Sequence, residues 1–299
     1  MTEQPQPIFG RIATAMVTPF TDALALDLDR AAELARHLVD DLGTDGLVVN
    51  GTTGEAPTTS AEEKRDLVAA VVDAVGDRAR VVAGVGTNDT RGTIRLAEDA
   101  AAAGAHGLLV VTPYYSRPPV AEIERHFLAV ADATDLPNLL YDIPHRTGLP
   151  IPPELLIRLA DHPRIVGVKD AKGAIASSSV VMAETDLQYY AGDDAMLLPL
   201  LAVGGVGVVG TSTHFTARAA KRIAEAFLDG RVAEAIDVNR RSLAAFQGVF
   251  ATQGCMRGKP APPPGGRDVG PCRPPMGPAP DELVAGYLRT LDAHLADLG

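Results

Sequence analysis

The chain has 299 residues, enough for one large barrel or two ordinary domains. Its 38 acidic residues outnumber 27 basic ones, and the formal net charge of -11 opposes attraction to a polyphosphate backbone, so nucleic acid is not an expected partner. Hydrophobic residues reach 46% while aromatics reach only 4% and Trp is absent, so aliphatic side chains and Ala must fill the core.

The N-terminus, Met1-Thr2-Glu3-Gln4-Pro5, has neither the basic start nor the apolar run of a secretory signal. The longest apolar stretch, 196–209, is broken by Pro199, Gly204, Gly205 and Gly207 and is too short to cross a bilayer. Cys255 and Cys272 fit no metal-ligand spacing and no disulfide framework. A soluble, cytoplasmic protein without a membrane partner is the expectation.

Taken in order, short runs rich in Val, Ile and Leu recur at 12–17, 46–50, 80–84, 107–111, 138–141, 165–169, 188–191 and 206–210. They are apolar on both faces, as parallel strands covered by helices are. Between them lie amphipathic helical patterns such as 29–40, 61–75 and 90–103. Ser60 can cap its helix with Glu63 three residues on, and Pro152 and Pro153 stand where the helix 154–160 should begin. Strands alternating with helices over residues 1–216 predict an α/β fold of the (β/α)8 barrel type, with a doubly wound open sheet as the competitor. Residues 217–299 predict a small C-terminal helical appendage, with helices at 217–228, 232–250 and 281–298. Within it, 257–280 is crowded with Pro and Gly, above all at 260–266, where no helix can survive.

In a barrel the chemistry belongs at the C-terminal ends of the strands, and the reactive candidates follow the apolar runs. Gly51-Thr52-Thr53-Gly54-Glu55 comes directly after the second run; two hydroxyls between glycines let backbone N–H groups and Thr Oγ atoms approach an anion. Such a segment can equally be a plain polar turn. Thr112-Pro113-Tyr114-Tyr115 follows the fourth run, offering phenols that donate to a carboxylate or pass a proton, though paired loop tyrosines often only pack at interfaces.

Tyr141 ends the fifth run and should point into the barrel mouth. Arg146, five residues on, has the planar fork that suits a carboxylate, while His145 is expected to be an ordinary solvated loop residue. Lys169 ends the sixth run. A lysine there loses hydration, its ammonium is disfavoured, and the neutral amine can attack a carbonyl to form an imine; the bland alternative is a lysine that snorkels out of the rim. An amine nucleophile, phenols, hydroxyls and an arginine together constitute a site for 2-oxo acids.

These segments resemble the dihydrodipicolinate synthase family, within the N-acetylneuraminate lyase superfamily of Schiff-base aldolases. The resemblance rests on 51–55, 112–115 with Arg117-Pro118, 141–148, 167–170 and Gly192-Asp193-Asp194, in family order, and covers about residues 8 to 250. It implies a homotetramer built as a dimer of dimers, and an imine of pyruvate on Lys169 with no separate cofactor and no metal. Tyr141 would shuttle protons through Thr52 to a Tyr115 reaching in from the neighbouring subunit. Thr53 and backbone groups near Gly51 would hold the pyruvate carboxylate, and carbonyls near Gly192 and Val209 would complete the pocket. Arg146 would hold the carboxylate of L-aspartate 4-semialdehyde.

The Thr-Thr pair and Arg146-Thr147-Gly148 favour the synthase over pyruvate-dependent lyases or dehydratases of sugar acids, since a short substrate with its own carboxylate suits an arginine. A non-catalytic relative is the remaining alternative.

Three departures from the family stand out. Asp142 replaces a usual Asn, in what is expected to be a loop. Ala61, Lys64 and Gly92 stand where lysine-inhibited members carry histidines and a glutamate, although Asn88 and Tyr114 remain, so weak or absent lysine inhibition is expected. After Lys259 a family helix is replaced by 260–266, as two compensating frameshifts would do, so the C-terminal helices are expected to pack poorly.

Two other enzyme classes lack support. Gly205-Val206-Gly207-Val208-Val209-Gly210 satisfies G-x-G-x-x-G but runs into an apolar strand rather than opening a helix, which is the wrong context for a dinucleotide. A metal-dependent aldolase needs clustered ligands, and the seven histidines are scattered.

Overall fold

The computed structural model of the chain describes residues 6–259 and 268–298. Eight parallel strands close into a barrel in sequence order. They are β1 (Ile12–Ala15), β2 (Gly46–Val49), β3 (Arg80–Gly84), β4 (Gly107–Val111), β5 (Asn138–Asp142), β6 (Ile165–Asp170), β7 (Gln188–Ala191) and β8 (Gly207–Gly210). Every apolar run that the sequence marks is therefore a strand, and the open sheet is excluded because β1 pairs with β8.

The two-faced apolarity of the strands has a direct cause. Along β4, Leu109 faces the barrel interior with Ala13, Val48, Val82, Leu139 and Val209. Its neighbours Leu108 and Val110 face outward into the larger core beneath the helices. Both faces are dry, so neither tolerates the polar residues of a half-exposed sheet. The glycine-rich 205–210 segment ends as β8, not as a helix N-terminus, as its context predicted.

The helical layer follows its local signals. The helix Ala61–Val75 opens on the complete capping box: Glu63 N–H donates to Ser60 Oγ at 3.1 Å and Ser60 N–H to Glu63 Oε2 at 2.9 Å. Pro153 starts the helix Pro153–Leu159, where its missing N–H costs nothing. The helix after β8 runs Thr213–Leu228 and crosses the 216/217 division drawn from sequence, since it packs on β1 as the eighth barrel helix.

The C-terminal region departs from expectation. Its helices do not pack poorly among the described residues. Tyr287 and Leu291 of the helix Asp281–Leu298 are buried with Phe215, Ala245 and Val249, and the Tyr287 hydroxyl donates to the Ala245 carbonyl at 3.1 Å. The 260–266 stretch lies outside the described residues, but the chain that follows it is firmly docked. Phe20 N–H donates to the Val269 carbonyl at 3.1 Å. Gly270 has φ +74, and a Cβ there would come within 1.7 Å of the Phe20 carbonyl oxygen, so only glycine fits.

Arg273 then makes the anchor. Its guanidinium lies 4.1 Å from the Phe20 ring and donates to the carbonyls of Leu24 and Thr58 and to both oxygens of Glu63. That pairing holds the Glu63 carboxyl down at about 2. Residues 268–273 thus form a strap over the β2 end of the barrel.

Candidate active site

A cavity of about 370 Å³ opens at the C-terminal ends of the strands, where barrel chemistry is expected. Lys169 and Tyr141 face it from adjacent strands, and the β5–β6 register sets them side by side. Lys169 Nζ lies 4.3 Å from the centre of the Tyr141 ring. The lysine is only 5% exposed, so it does not snorkel. Burial first, and then the charge of Arg146, lower its pKa to about 8 against the opposing pull of Asp194. Burial thus favours the neutral amine far more than water does, where an ordinary lysine is almost wholly charged near neutral pH. The Tyr141 phenol is pushed up to about 12 by burial, with Arg146 and a hydrogen bond from Thr52 acting the other way. It therefore keeps its proton and can donate it.

The Gly51–Glu55 turn brings Thr52 and Thr53 to the same cavity. The Thr53 hydroxyl pairs with that of Thr211 at 2.8 Å, a small polar floor beside the amine. Arg146 and His145 sit on the short helix Pro144–Thr147 at the rim, both exposed. Arg146 Nη2 donates to Gln253 Oε1 at 2.7 Å, so its fork is held by the C-terminal region while remaining open to solvent. His145 lines the mouth, and burial lowers its pKa. Gly192 completes the wall after β7.

Three residues named from the sequence are not brought to this cavity. Gly51 is buried, its carbonyl accepting from Ala56 N–H at 3.3 Å. Val209 is buried inside the barrel. Tyr115 projects outward, 90% exposed, with a left-handed backbone at φ +74. A non-glycine residue in that region carries strain, which persists where something else fixes the loop.

Other residues belong to the site although sequence reasoning gave them no role. Thr211 follows β8, and its position after an apolar run was the available signal. Asp194 is fully buried near Lys169; its carboxylate accepts from the Ser212 hydroxyl at 2.6 Å and the Thr211 N–H at 3.1 Å. A Cβ on Gly210 would come within 2.2 Å of Asp194 Oδ1, so the glycine makes room for this carboxylate. Gln247, Phe250, Thr252, Gln253, Cys255 and Met276 add a wall from beyond the barrel, which no barrel motif announces.

Asp142 also needs correction. It is the last residue of β5 rather than a loop residue, and it is fully buried. Burial pushes its pKa up, and Lys172 offsets this with an ion pair at 3.2 Å. Lys172 also lies 3.7 Å from Asp170, whose second partner is the Ser178 hydroxyl. The Asn-to-Asp departure is thus matched by a buried cation.

A buried, partly neutral amine beside a protonated phenol at a barrel mouth defines a carbonyl-attacking (β/α)8 enzyme. The profile of the Dihydrodipicolinate synthetase family matches residues 8–293, and the chain belongs to that family. It is 58% identical over 286 residues to the 4-hydroxy-tetrahydrodipicolinate synthase of Cutibacterium acnes, covering 96% of this chain and 98% of the other. It is 59% identical over 282 residues to that of Acidothermus cellulolyticus, covering 94% and 91%. Among solved structures, dihydrodipicolinate synthase from Bacillus anthracis superposes with a TM-score of 0.92 at 34% identity, over 95% of this chain and 98% of that one. The enzyme from Cyanidioschyzon merolae with lysine bound gives 0.91 at 36% identity, over 96% and 98%.

Proposed function

We propose that the chain is a 4-hydroxy-tetrahydrodipicolinate synthase, a lyase of lysine and diaminopimelate biosynthesis that condenses pyruvate with L-aspartate 4-semialdehyde. The observation that carries this is the dry Lys169 amine held against Tyr141, in a chain 58% identical to a relative of that name. Neutral Lys169 attacks the pyruvate carbonyl and water leaves, forming the imine. Loss of a methyl proton gives the enamine, and its carbon attacks the aldehyde. Tyr141, in hydrogen-bond contact with Thr52, hands protons in and out. Thr53 and the Thr211 hydroxyl paired with it face the pyruvate carboxylate. The imine is carried by the chain's own amine, so no separate cofactor is required.

Borohydride trapping tests the core of this. Reduction in the presence of pyruvate should leave a stable adduct on Lys169 by peptide mass spectrometry. Folded protein with no adduct there points to the non-catalytic alternative. A panel of aldehydes then separates the synthase from sugar-acid lyases.

Arg146 is assigned to the second substrate, and its open fork at the rim supports that. Arg146→Ala is expected to raise the apparent KM for the semialdehyde by about tenfold to a hundredfold, losing a charge-assisted pair of about 1.5–3 kcal/mol, with little change for pyruvate. Equal effects on both substrates in steady-state kinetics would remove the assignment.

We also infer a cytoplasmic homotetramer in which the exposed Tyr115 completes a neighbour's site. Among the described residues no helix is long and apolar enough to cross a membrane. Lysine feedback is expected to be weak. The Lys64 ammonium already donates to the Ala56 and Thr59 carbonyls on that flank and opposes a second cation. A submillimolar inhibition constant for lysine would contradict this.

A further inference from the structure

We propose that Cys255 and Cys272 are a peroxide-responsive dithiol, interconverting between two thiols and one disulfide at the wall of the substrate cavity. Neither is part of the imine chemistry, and the proposal does not depend on the identity of the substrates.

Only 17 positions apart in sequence, the two free cysteines meet in the fold. Their sulfur atoms and a Glu55 carboxylate oxygen all lie within 4.8 Å of one another. Both are buried, yet Cys255 lines the cavity, so a molecule as small as hydrogen peroxide has a route to its sulfur. Cys272 lies on the docked 268–273 strap and Cys255 on the short helix Gly254–Gly258, which meet at this point.

The surroundings favour a thiolate over a metal. Lys259 Nζ lies 2.7 Å from Glu55 Oε1, and Arg273 N–H donates to Glu55 Oε2 at 2.8 Å, so both oxygens of the third potential ligand are engaged. A divalent ion would have to sit beside the Lys259 ammonium. That ammonium instead helps a thiolate. The interaction with Cys272 first, and Lys259 as a lesser influence, lower the Cys255 pKa against burial and the Glu55 charge, while the same interaction pushes Cys272 up. Cys255 lines the cavity and Cys272 does not, so Cys255 is the attacking sulfur and Cys272 the resolving one.

The chemistry balances. The Cys255 thiolate attacks one peroxide oxygen; an S–O bond forms, the O–O bond breaks, and hydroxide leaves to become water. Cys272, giving its proton to that hydroxide, attacks the resulting sulfenic sulfur and expels the second oxygen as hydroxide, which takes up the proton that Cys255 released on ionising, so two waters leave. Two electrons pass from two sulfurs to peroxide, and a thiol reductant reverses the step by exchange.

The test uses the full-length reduced protein, treated with a small excess of hydrogen peroxide, then denatured and alkylated. Alkylatable thiols should fall from two per chain to none, with a linked peptide joining Cys255 and Cys272 that dithiothreitol dissolves. In Cys272→Ser the same treatment should leave Cys255 as a sulfenic acid that dimedone captures. Two alkylatable thiols persisting in treated wild-type protein would overturn the proposal. So would sulfinic acid at Cys255 without a linked peptide, or stoichiometric zinc in protein isolated without chelators.

Discussion

Replacing Lys169 by alanine is expected to lower kcat/KM by roughly 10³-fold or more, about 4 kcal/mol of transition-state stabilisation, with the fold intact. The size follows from the role. Hydrogen-bonding groups around a carbonyl can be partly replaced by water, but among the described residues no other that lines the cavity carries an amine that can form the covalent intermediate. Tyr141, Thr52 and Thr53 would still shape the pocket, so pyruvate can bind without reacting. Borohydride should then leave no adduct.

The same amine sets a pH dependence. Its neutral form is the nucleophile, and its pKa is lowered to about 8, chiefly by burial. The kcat/KM for pyruvate should therefore rise as pH climbs toward about 8 and level off above it. A limb still rising tenfold per pH unit between about 8.5 and 10 would mean a solvated, ordinary lysine.

Lys172→Met is expected to cost about 3–5 kcal/mol of folding stability, measured by urea unfolding. Lys172 is the cation between Asp142 and Asp170, at 3.2 and 3.7 Å, and all three side chains are almost fully buried. Without it two carboxylates face each other in a dry interior, each disfavouring the other's charge. Ile151 N–H and Lys172 N–H hold one oxygen of each, and neither replaces the lost positive charge. The double variant Lys172→Met with Asp142→Asn should recover part of the loss. A single variant as stable as wild type would show that water reaches the cluster.

Much of the barrel is legible in the sequence because its signals are local. Each strand is a run of four to six residues dry on both faces, and the capping box at Ser60 lies within four consecutive positions. Lys169 and Tyr141 are legible for the same reason: each is a reactive residue near the end of an apolar run, and barrel geometry dictates where such ends point. The rest depends on contacts that sequence spacing does not encode. Arg273 grips Glu63 from 210 positions away, so a segment rich in Pro and Gly gives no sign that it is a docked strap. Asp194 and Thr211 gain meaning only when the loops after β7 and β8 converge, as they do at 3.1 Å. The sequence pattern puts Asp142 in a loop, whereas β5 extends one residue past its apolar run, where Lys172 makes a buried carboxylate tolerable.

The reacting pair belongs to the strands, whereas Gln247, Phe250, Gln253 and Met276, which line the same cavity, come from chain added after the barrel has closed. The engine and the gatehouse are therefore separate pieces of polypeptide. Altering the later piece therefore reshapes one wall of the cavity while the interstrand rung of Lys169 and Tyr141 stays as it was.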